Sequence, residues 1–125
     1  PWQFVLEPIH GYLKLGLINY LKKELNGESF NFGPQNNSHI DVMTILKKFK
    51  KIYPDLKFSI SKNKVTLEKN FLSLNSEKAI NKLGWNPKLS IDESIKLTSD
   101  WYYYYYKNKD INKLSKSQIY SFFDL

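Results

Sequence analysis

The chain has 125 residues, enough for one domain that buries about two thirds of its unfolded surface. Hydrophobic residues make up 42% of it and aromatic residues 16%, which is typical of a folded protein and excludes a disordered one. Cysteine is absent, which excludes disulfides and thiolate metal sites and favours a cytoplasmic location. No apolar run reaches the roughly 18 residues of a membrane span, and no signal-peptide pattern is present.

The net charge of +7 raises the hypothesis of nucleic-acid binding, because clustered cations release counterions from phosphate backbones. All 19 basic residues are Lys, however, and base recognition relies heavily on the planar guanidinium of Arg. The lysines are also scattered, with one dense cluster at Lys47, Lys48, Lys50 and Lys51. The composition therefore argues against nucleic acid as a partner.

The first predicted element is a helix from about Glu7 to Leu25, ended by Asn26-Gly27. Its apolar residues recur at spacings of three and four, which puts them on one helical face: Leu6, Ile9, Leu13, Leu17, Tyr20 and Leu21. The next stretch, SFNFGP at Ser29–Pro34, reads as a short strand with Phe30 and Phe32 on one face. A helix followed by a strand is therefore the expected beginning of the fold.

A second amphipathic helix is predicted from Val42 to Tyr53, with Ser38 and Asp41 as a capping box before it. Alternating apolar residues then predict a strand over 56–60 and another extended piece over 65–67.

Three further helices complete the prediction. A short one over about 76–83 is stopped by Gly84, and a longer one begins at the capping box of Ser90 and Glu93. The longer helix continues into the run WYYYYY, in which Trp101, Tyr102 and Tyr105 are expected to face the core. A last short helix is expected over 119–123. The order α-β-α-β-β-α-α-α predicts an α/β fold class, in one domain over 1–125.

Motifs that would mark a catalytic centre are missing from the sequence. The five glycines form neither a dinucleotide-binding nor a phosphate-binding loop, and His10 and His39 have no partner at metal-ligand spacing. Two Tyr-x-x-x-Lys matches, at 53–57 and 103–107, are rejected. The first contains a helix-ending proline and the second falls by chance in a run of five tyrosines. The sequence therefore predicts no catalytic residue and no metal site in this chain.

Several segments together resemble a known enzyme family. SEKAINKLGWNPKLSIDESIKLTSDWY, Ser76–Tyr102, is similar to the C-terminal signature of the extended short-chain dehydrogenase/reductase superfamily, in which Ser-Lys-Ala, Leu-Gly-Trp-x-Pro and Trp-Tyr recur. Within that superfamily, PWQFVLEPIHGYL at 1–13 and FNFGP at 30–34 resemble segments of CDP-glucose 4,6-dehydratases. The resemblance covers essentially the whole chain, but only the C-terminal third of that family.

By resemblance, the intact enzyme is an NAD-dependent lyase that converts CDP-glucose to CDP-4-keto-6-deoxyglucose. The resemblance implies that this chain is the C-terminal substrate-binding lobe of such an enzyme, that it binds no cofactor alone, and that the Rossmann domain with its catalytic groups lies outside it. The implied partners are the nucleotide sugar, that N-terminal domain and a second copy in a homodimer, with neither nucleic acid nor membrane. Residues expected to line or order the substrate pocket are Trp2, Gln3, Glu7, Asn31 and Glu68.

Three positions depart from the family pattern. Phe4 and Leu67 stand where the family has His, and Asn75 stands where it has Asp. The loss of two polar contacts and one charge leaves another nucleotide-sugar dehydratase or epimerase open as the identity of the enzyme.

A second class of function is also open: a non-catalytic binding or assembly module that uses the first helix and the Tyr-rich helix as contact surfaces. The lyase hypothesis has its own structural expectations. The first helix should expose an apolar stripe, the Phe30–Phe32 strand should form the edge of a sheet, and a cleft should open beside Trp2.

Overall fold

The computed structural model describes residues 2–34, 40–60 and 73–124, and this part of the chain forms five α-helices. None of them is long and apolar enough to cross a bilayer. Their bounds are α1 Leu6–Lys22, α2 Val42–Ile52, α3 Glu77–Leu83, α4 Ile91–Tyr106 and α5 Ile111–Phe123. The described residues contain no strand, so the predicted α/β fold class is wrong for them, although a helix lies in each region where the sequence predicts one.

The segment predicted as the first strand, Ser29–Pro34, pairs with no other strand among the described residues. Side chains bind its backbone groups instead: the Phe32 carbonyl accepts a hydrogen bond from Gln3 Nε2, and the Gly33 N–H donates to Ser76 Oγ, both at 2.8 Å. A strand needs a ladder of backbone hydrogen bonds, and here those groups already have partners. The alternating phenylalanines reflect packing against the core and not a sheet edge.

The strand predicted over 56–60 is also absent. The predicted order α-β-α-β-β-α-α-α is therefore wrong for the described residues. Ile60 is 71% exposed and Phe58 39%, so within the described residues no sheet or helix buries one side of the alternation. The extended piece predicted over 65–67 lies outside the described residues, as does Ser38 of the proposed capping box. Asp41 caps α2, since its Oδ1 accepts the Thr44 N–H at 2.7 Å.

Local capping chemistry explains where the helices begin and end. The predicted capping box of Ser90 and Glu93 is confirmed, and Gly84 ends α3 in the left-handed conformation, with φ of 60°. α1 stops earlier than predicted, because Lys23 adopts the left-handed conformation itself, with φ of 57°. α5 is longer than predicted, because the Asp110 side chain accepts a hydrogen bond from the backbone N–H of Lys113 and caps a start at 111.

Two apolar clusters hold the helices together. The first joins α1 to α3 and consists of the buried residues Leu25, Phe32, Ala79, Leu83 and Trp85. The second consists of Phe4, Leu6 and Phe122, and Leu97 packs against it, so it joins the start of α1 to α4 and α5. α2 packs on α4, where Ile45 and Ile95 are each 4% exposed.

The Tyr-rich end of α4 does not face the core as predicted. Tyr102 is 45% exposed and Tyr105 55%, whereas Tyr103 packs edge-to-face on Tyr53 with ring centroids 5.8 Å apart. Trp101 is half-buried and its indole N–H donates to Ser115 Oγ of α5 at 3.0 Å. Consecutive helical positions fan around the axis, and α2 and α5 occupy different sides of α4, which leaves part of the tyrosine run in solvent.

The apolar residues of α1 lie mainly on its outer face. Leu13, Leu17, Tyr20 and Leu21, together called the α1 stripe below, expose 60%, 59%, 83% and 67% of their surfaces. Of the six residues predicted to share this face, Leu6 is instead buried in the second cluster and Ile9 is 37% exposed. The exposed apolar stripe expected from the lyase hypothesis is therefore present only in the second half of α1.

Two glycines of α1 have contrasting surroundings. A Cβ on Gly11 would overlap the buried ring of Phe32, so this glycine is required for α1 to lie against the first cluster. A Cβ on Gly16 would meet nothing within 4 Å, so no contact within the described structure accounts for this glycine.

We predict that Gly11→Ala and Gly16→Ala change the free energy of unfolding in opposite directions. At position 16 the gain in helix propensity stabilises by about 1 kcal/mol. At position 11 the same gain is outweighed by overpacking against Phe32, which costs about 1–3 kcal/mol. Urea unfolding of both variants measures this, and each is the control for the other because the same methyl group is added to the same helix. Equal effects would contradict the described packing.

His10 lies on α1 where it meets the end of α5. Its ring contacts those of Phe122 and Phe123 edge-on, with centroids 6.1 Å and 5.8 Å apart. Burial lowers the pKa of His10, and the positive charges of Lys14 and Lys88 lower it further.

A lowered histidine pKa makes stability depend on pH in a defined direction. The folded chain binds the proton less readily than the unfolded chain, so stability is complete above about pH 6.5 and falls as the pH drops below that value. We expect the His10 imidazole to titrate by NMR below the normal histidine range. His10→Gln should remove this part of the pH dependence, and a variant with the wild-type pH profile would refute the assignment.

Candidate functional site

The residues before α1 are tied to two other parts of the chain. The Trp2 indole N–H donates to the Ile40 carbonyl at 3.1 Å, and Gln3 Nε2 donates to the Phe32 carbonyl at 2.8 Å. Phe4 anchors the segment in the second cluster, where it is 4% exposed. Trp2 and Gln3 are therefore held where the chain start meets the 29–34 segment and the approach to α2.

Glu7, in the first turn of α1, is 1% exposed and binds the loop between α3 and α4. Its Oε1 accepts the backbone N–H groups of Lys88 and Leu89, both at 2.8 Å, and its backbone carbonyl accepts the indole N–H of Trp85 at 3.1 Å. A buried carboxylate is costly unless it is hydrogen-bonded, and these charge-assisted bonds offset the cost. Among the described residues no donor reaches its other oxygen, Oε2. These contacts describe a residue that orders the fold around the site.

Asn31 lies next to Phe32, to which Gln3 is bonded. Its side chain is exposed, and its Nδ2 donates to the Asn75 carbonyl at 3.3 Å. Three of the five predicted site residues, Trp2, Gln3 and Asn31, thus lie on two adjoining segments. Glu7 is turned instead to the 88–89 backbone, and Glu68 lies outside the described residues.

A pocket of about 530 Å³ opens between the chain start, α4 and α5. Its lining includes Gln3 and Val5 from the chain start, Trp101 and Tyr102 from α4, and Gln118 from α5. The pocket lies beside Gln3, and Trp2, where the cleft was expected, does not line it. Sequence reasoning placed Trp101 and Tyr102 in the core, and it missed Gln118 because the polar start of α5 gave no apolar period.

The chemistry of this pocket is aromatic and neutral. Among the described residues no Lys, Asp or Glu lines it, and Gln118 Nε2 is already bonded to the Leu97 carbonyl at 2.9 Å. Its volume falls within the roughly 300–1,000 Å³ of small-molecule sites. Such a lining suits an uncharged ring and offers nothing to neutralise a diphosphate.

The carboxyl groups whose pKa values shift are all held in the ionised form. The lysines at 78 and 82 lower the pKa of Glu28, and an ion pair with Lys107 at 2.9 Å lowers that of Asp55. Capping hydrogen bonds lower the pKa of Asp41 and of Glu93. A general acid at neutral pH needs the opposite shift, so these four groups serve the fold. In the described ranges no three His, Asp or Glu side chains are grouped to hold a metal ion.

Comparison with known proteins gives one informative match. The chain is 28% identical over 120 residues to the CDP-glucose 4,6-dehydratase of Salmonella typhimurium strain LT2, and the match covers 95% of this chain and 33% of that enzyme. This chain resembles the C-terminal third of a CDP-glucose 4,6-dehydratase. The resemblance inferred from the sequence is thereby confirmed. No family model matches, and the chain spans about a third of the length of this curated relative.

The structure describes the contacts of two residues that depart from the pattern of CDP-glucose 4,6-dehydratases. Phe4, where the family has His, is part of the second apolar cluster, so an aromatic core contact replaces a polar group there. Asn75, where the family has Asp, still accepts the Glu77 N–H through its Oδ1 at 2.8 Å. The amide therefore retains the acceptor that orders the start of α3, without the charge. Leu67 lies outside the described residues.

We predict that Glu7→Ala lowers the free energy of unfolding by about 2–4 kcal/mol, because two backbone donors lose a charged, buried partner. Urea unfolding followed by the fluorescence of buried Trp85 measures the loss. Glu7→Gln, which keeps one oxygen acceptor, should cost less. The matched control is Glu24→Ala, whose exposed side chain should change stability by less than about 0.5 kcal/mol. Equal stability of the two alanine variants would disprove the structural role of Glu7.

Proposed function

We propose that this chain is the substrate-binding portion of an NAD-dependent CDP-glucose 4,6-dehydratase-like lyase, and that it is not catalytic alone. The observation that carries the proposal is the alignment of 95% of the chain with a CDP-glucose 4,6-dehydratase. The product of the intact enzyme would be a CDP-4-keto-6-deoxy sugar, formed in the cytoplasm during carbohydrate biosynthesis. In this proposal the matched third binds the substrate, and an N-terminal part carries the catalytic residues.

NAD belongs to that N-terminal part in this proposal. The sequence contains no glycine-rich phosphate-binding loop. Gly11 is required for the close contact between α1 and the Phe32 ring. The residues of this chain do not fit a dinucleotide, so no step of the reaction is assigned to NAD held here.

The exposed and half-buried residues at the chain start are proposed to contact the nucleotide sugar. The Trp2 indole is 45% exposed and offers an apolar face for a base or sugar ring. The amides of Gln3 and Asn31 offer donors and acceptors for hydroxyl groups. Glu68 is retained on the family resemblance, and Glu7 is proposed to order the site.

The activity is tested by reconstitution with the N-terminal two thirds of the Salmonella enzyme, NAD and CDP-glucose. We expect a 4-keto sugar, detected by mass as loss of one water, only when both parts are present. Trp2→Ala should lower kcat/KM roughly tenfold or more, as loss of an aromatic substrate contact does. Tyr120→Ala, an exposed aromatic of α5, is the control. Failure of this chain in a mixture where the Salmonella C-terminal third restores turnover would refute the proposal.

A non-catalytic assembly module remains the second candidate, because the structure exposes both surfaces that it would use. The α1 stripe is one, and the other is the end of α4, where Tyr106 is 62% exposed. A module of this kind would bind a partner through these faces without supporting turnover in the reconstitution.

A further inference from the structure

The pocket between the chain start, α4 and α5 has a lining that does not suit the proposed substrate. Among the described residues no charged side chain lines it, so nothing there neutralises a diphosphate. Trp2 and Asn31, which are proposed to contact the nucleotide sugar, do not line it either. Of the described residues proposed to contact the substrate, Gln3 alone is shared with the pocket. The pocket is therefore largely separate from the surface that carries the proposed function.

The hydrogen-bond donors of the pocket lining are mostly used within the chain. The side chains of Thr98, Gln118 and Gln3 each donate to a backbone carbonyl, at 2.7, 2.9 and 2.8 Å. The indole N–H of Trp101 donates to Ser115 Oγ at 3.0 Å. A sugar enclosed here would leave several of its hydroxyl groups without partners, and each unpaired buried group costs free energy. The lining therefore disfavours hydroxyl-rich ligands as well as charged ones.

Two aromatic rings of α4 form part of the pocket wall and are held nearly at right angles to each other. The centroids of Trp101 and Tyr102 are 5.4 Å apart, with an angle of 85° between the ring planes. Trp101 also stacks on Tyr105 at 5.5 Å, and Tyr102 stacks on Tyr106 at 6.3 Å. Neighbouring rings thus brace both walls before a ligand arrives. Aromatic rings pair best when offset-stacked or edge-to-face, and two perpendicular rings offer both geometries to a third ring.

We propose that this pocket is a second binding site, which takes a small uncharged molecule with an aromatic ring and few hydroxyl groups. Apolar side chains complete its lining: Phe4, Val5, Leu6 and Ile119. Its volume of about 530 Å³ is within the range of small-molecule sites. The site does not depend on the proposed function, because its walls come from this chain alone and its ligand is of another class than a nucleotide sugar.

The test is a titration of the whole chain with indole, a neutral aromatic probe. Binding is followed by NMR at the indole N–H of Trp101, which is assigned by its loss in Trp101→Phe. We expect a saturable shift of this resonance. Glucose, which is neutral but rich in hydroxyl groups, should bind at least about tenfold more weakly, because its hydroxyl groups find few partners. CDP-glucose should not displace the probe.

Two pairs of variants locate the binding. Val5→Trp places a large side chain in the pocket lining and should weaken indole binding about tenfold or more. Val42→Trp makes the same change at an exposed valine of α2 outside the pocket and should leave binding unchanged. Tyr102→Leu removes an exposed ring of the wall and should weaken binding about fivefold. Its control is Tyr120→Leu, on α5 outside the pocket.

Four results would overturn the proposal. The first is no saturable shift at Trp101, and the second is equal indole affinity of all four variants. The third is displacement of indole by CDP-glucose, which would make the pocket part of the substrate site. The fourth is a shift of the Trp101 resonance when the chain alone is concentrated, which would mean that a side chain of a second copy fills the pocket. Should Val5→Trp fail to fold, Tyr102→Leu and its control still decide the matter.

Discussion

The buried carboxylate of Glu7 connects the two halves of the described structure. Leu6 beside it belongs to the second apolar cluster, while its own carbonyl holds the indole of Trp85, in the first cluster. Its Oε1 fixes the backbone at 88 and 89, between α3 and α4. Removing this acceptor would leave two partly buried donors unpaired at the point where both clusters meet. Together with the two apolar clusters, this group fixes where α1 lies against the loop between α3 and α4.

That arrangement divides α1 into two faces with different roles. The inner face carries Glu7 and Gly11 and is used by the fold, whereas the outer face carries the α1 stripe and Gly16 and has no partner within the described residues. The residues proposed to contact the substrate, Trp2 and Gln3, directly precede this helix.

The pocket beside Gln3 has aromatic and amide walls. Lys82 and Lys107 pair with surface carboxylates, and Lys14 donates to a backbone carbonyl. Hydrogen bonds from lysine partners and from helix caps lower the pKa values of carboxyl groups in the described structure, which suits a structural role more than proton transfer. A match to one third of a larger enzyme is consistent with the proposal that this chain contacts the substrate and that another part supplies the chemistry.

The sequence by itself determined the helices with clear caps, the family resemblance and which apolar residues share a face of α1, because these depend on local chemistry and on residue order. Ser90 with Glu93 and Gly84 act within a few residues of themselves, and both predictions are confirmed. Tertiary structure alone decided that Ser29–Pro34 is not a strand, since Gln3 and Ser76, distant in sequence, take its backbone groups. It likewise decided that Glu7 is buried against 88–89 and that Tyr102 lines a pocket instead of the core. A periodic pattern shows which residues share a face, but the element that meets that face is set by contacts across the whole chain.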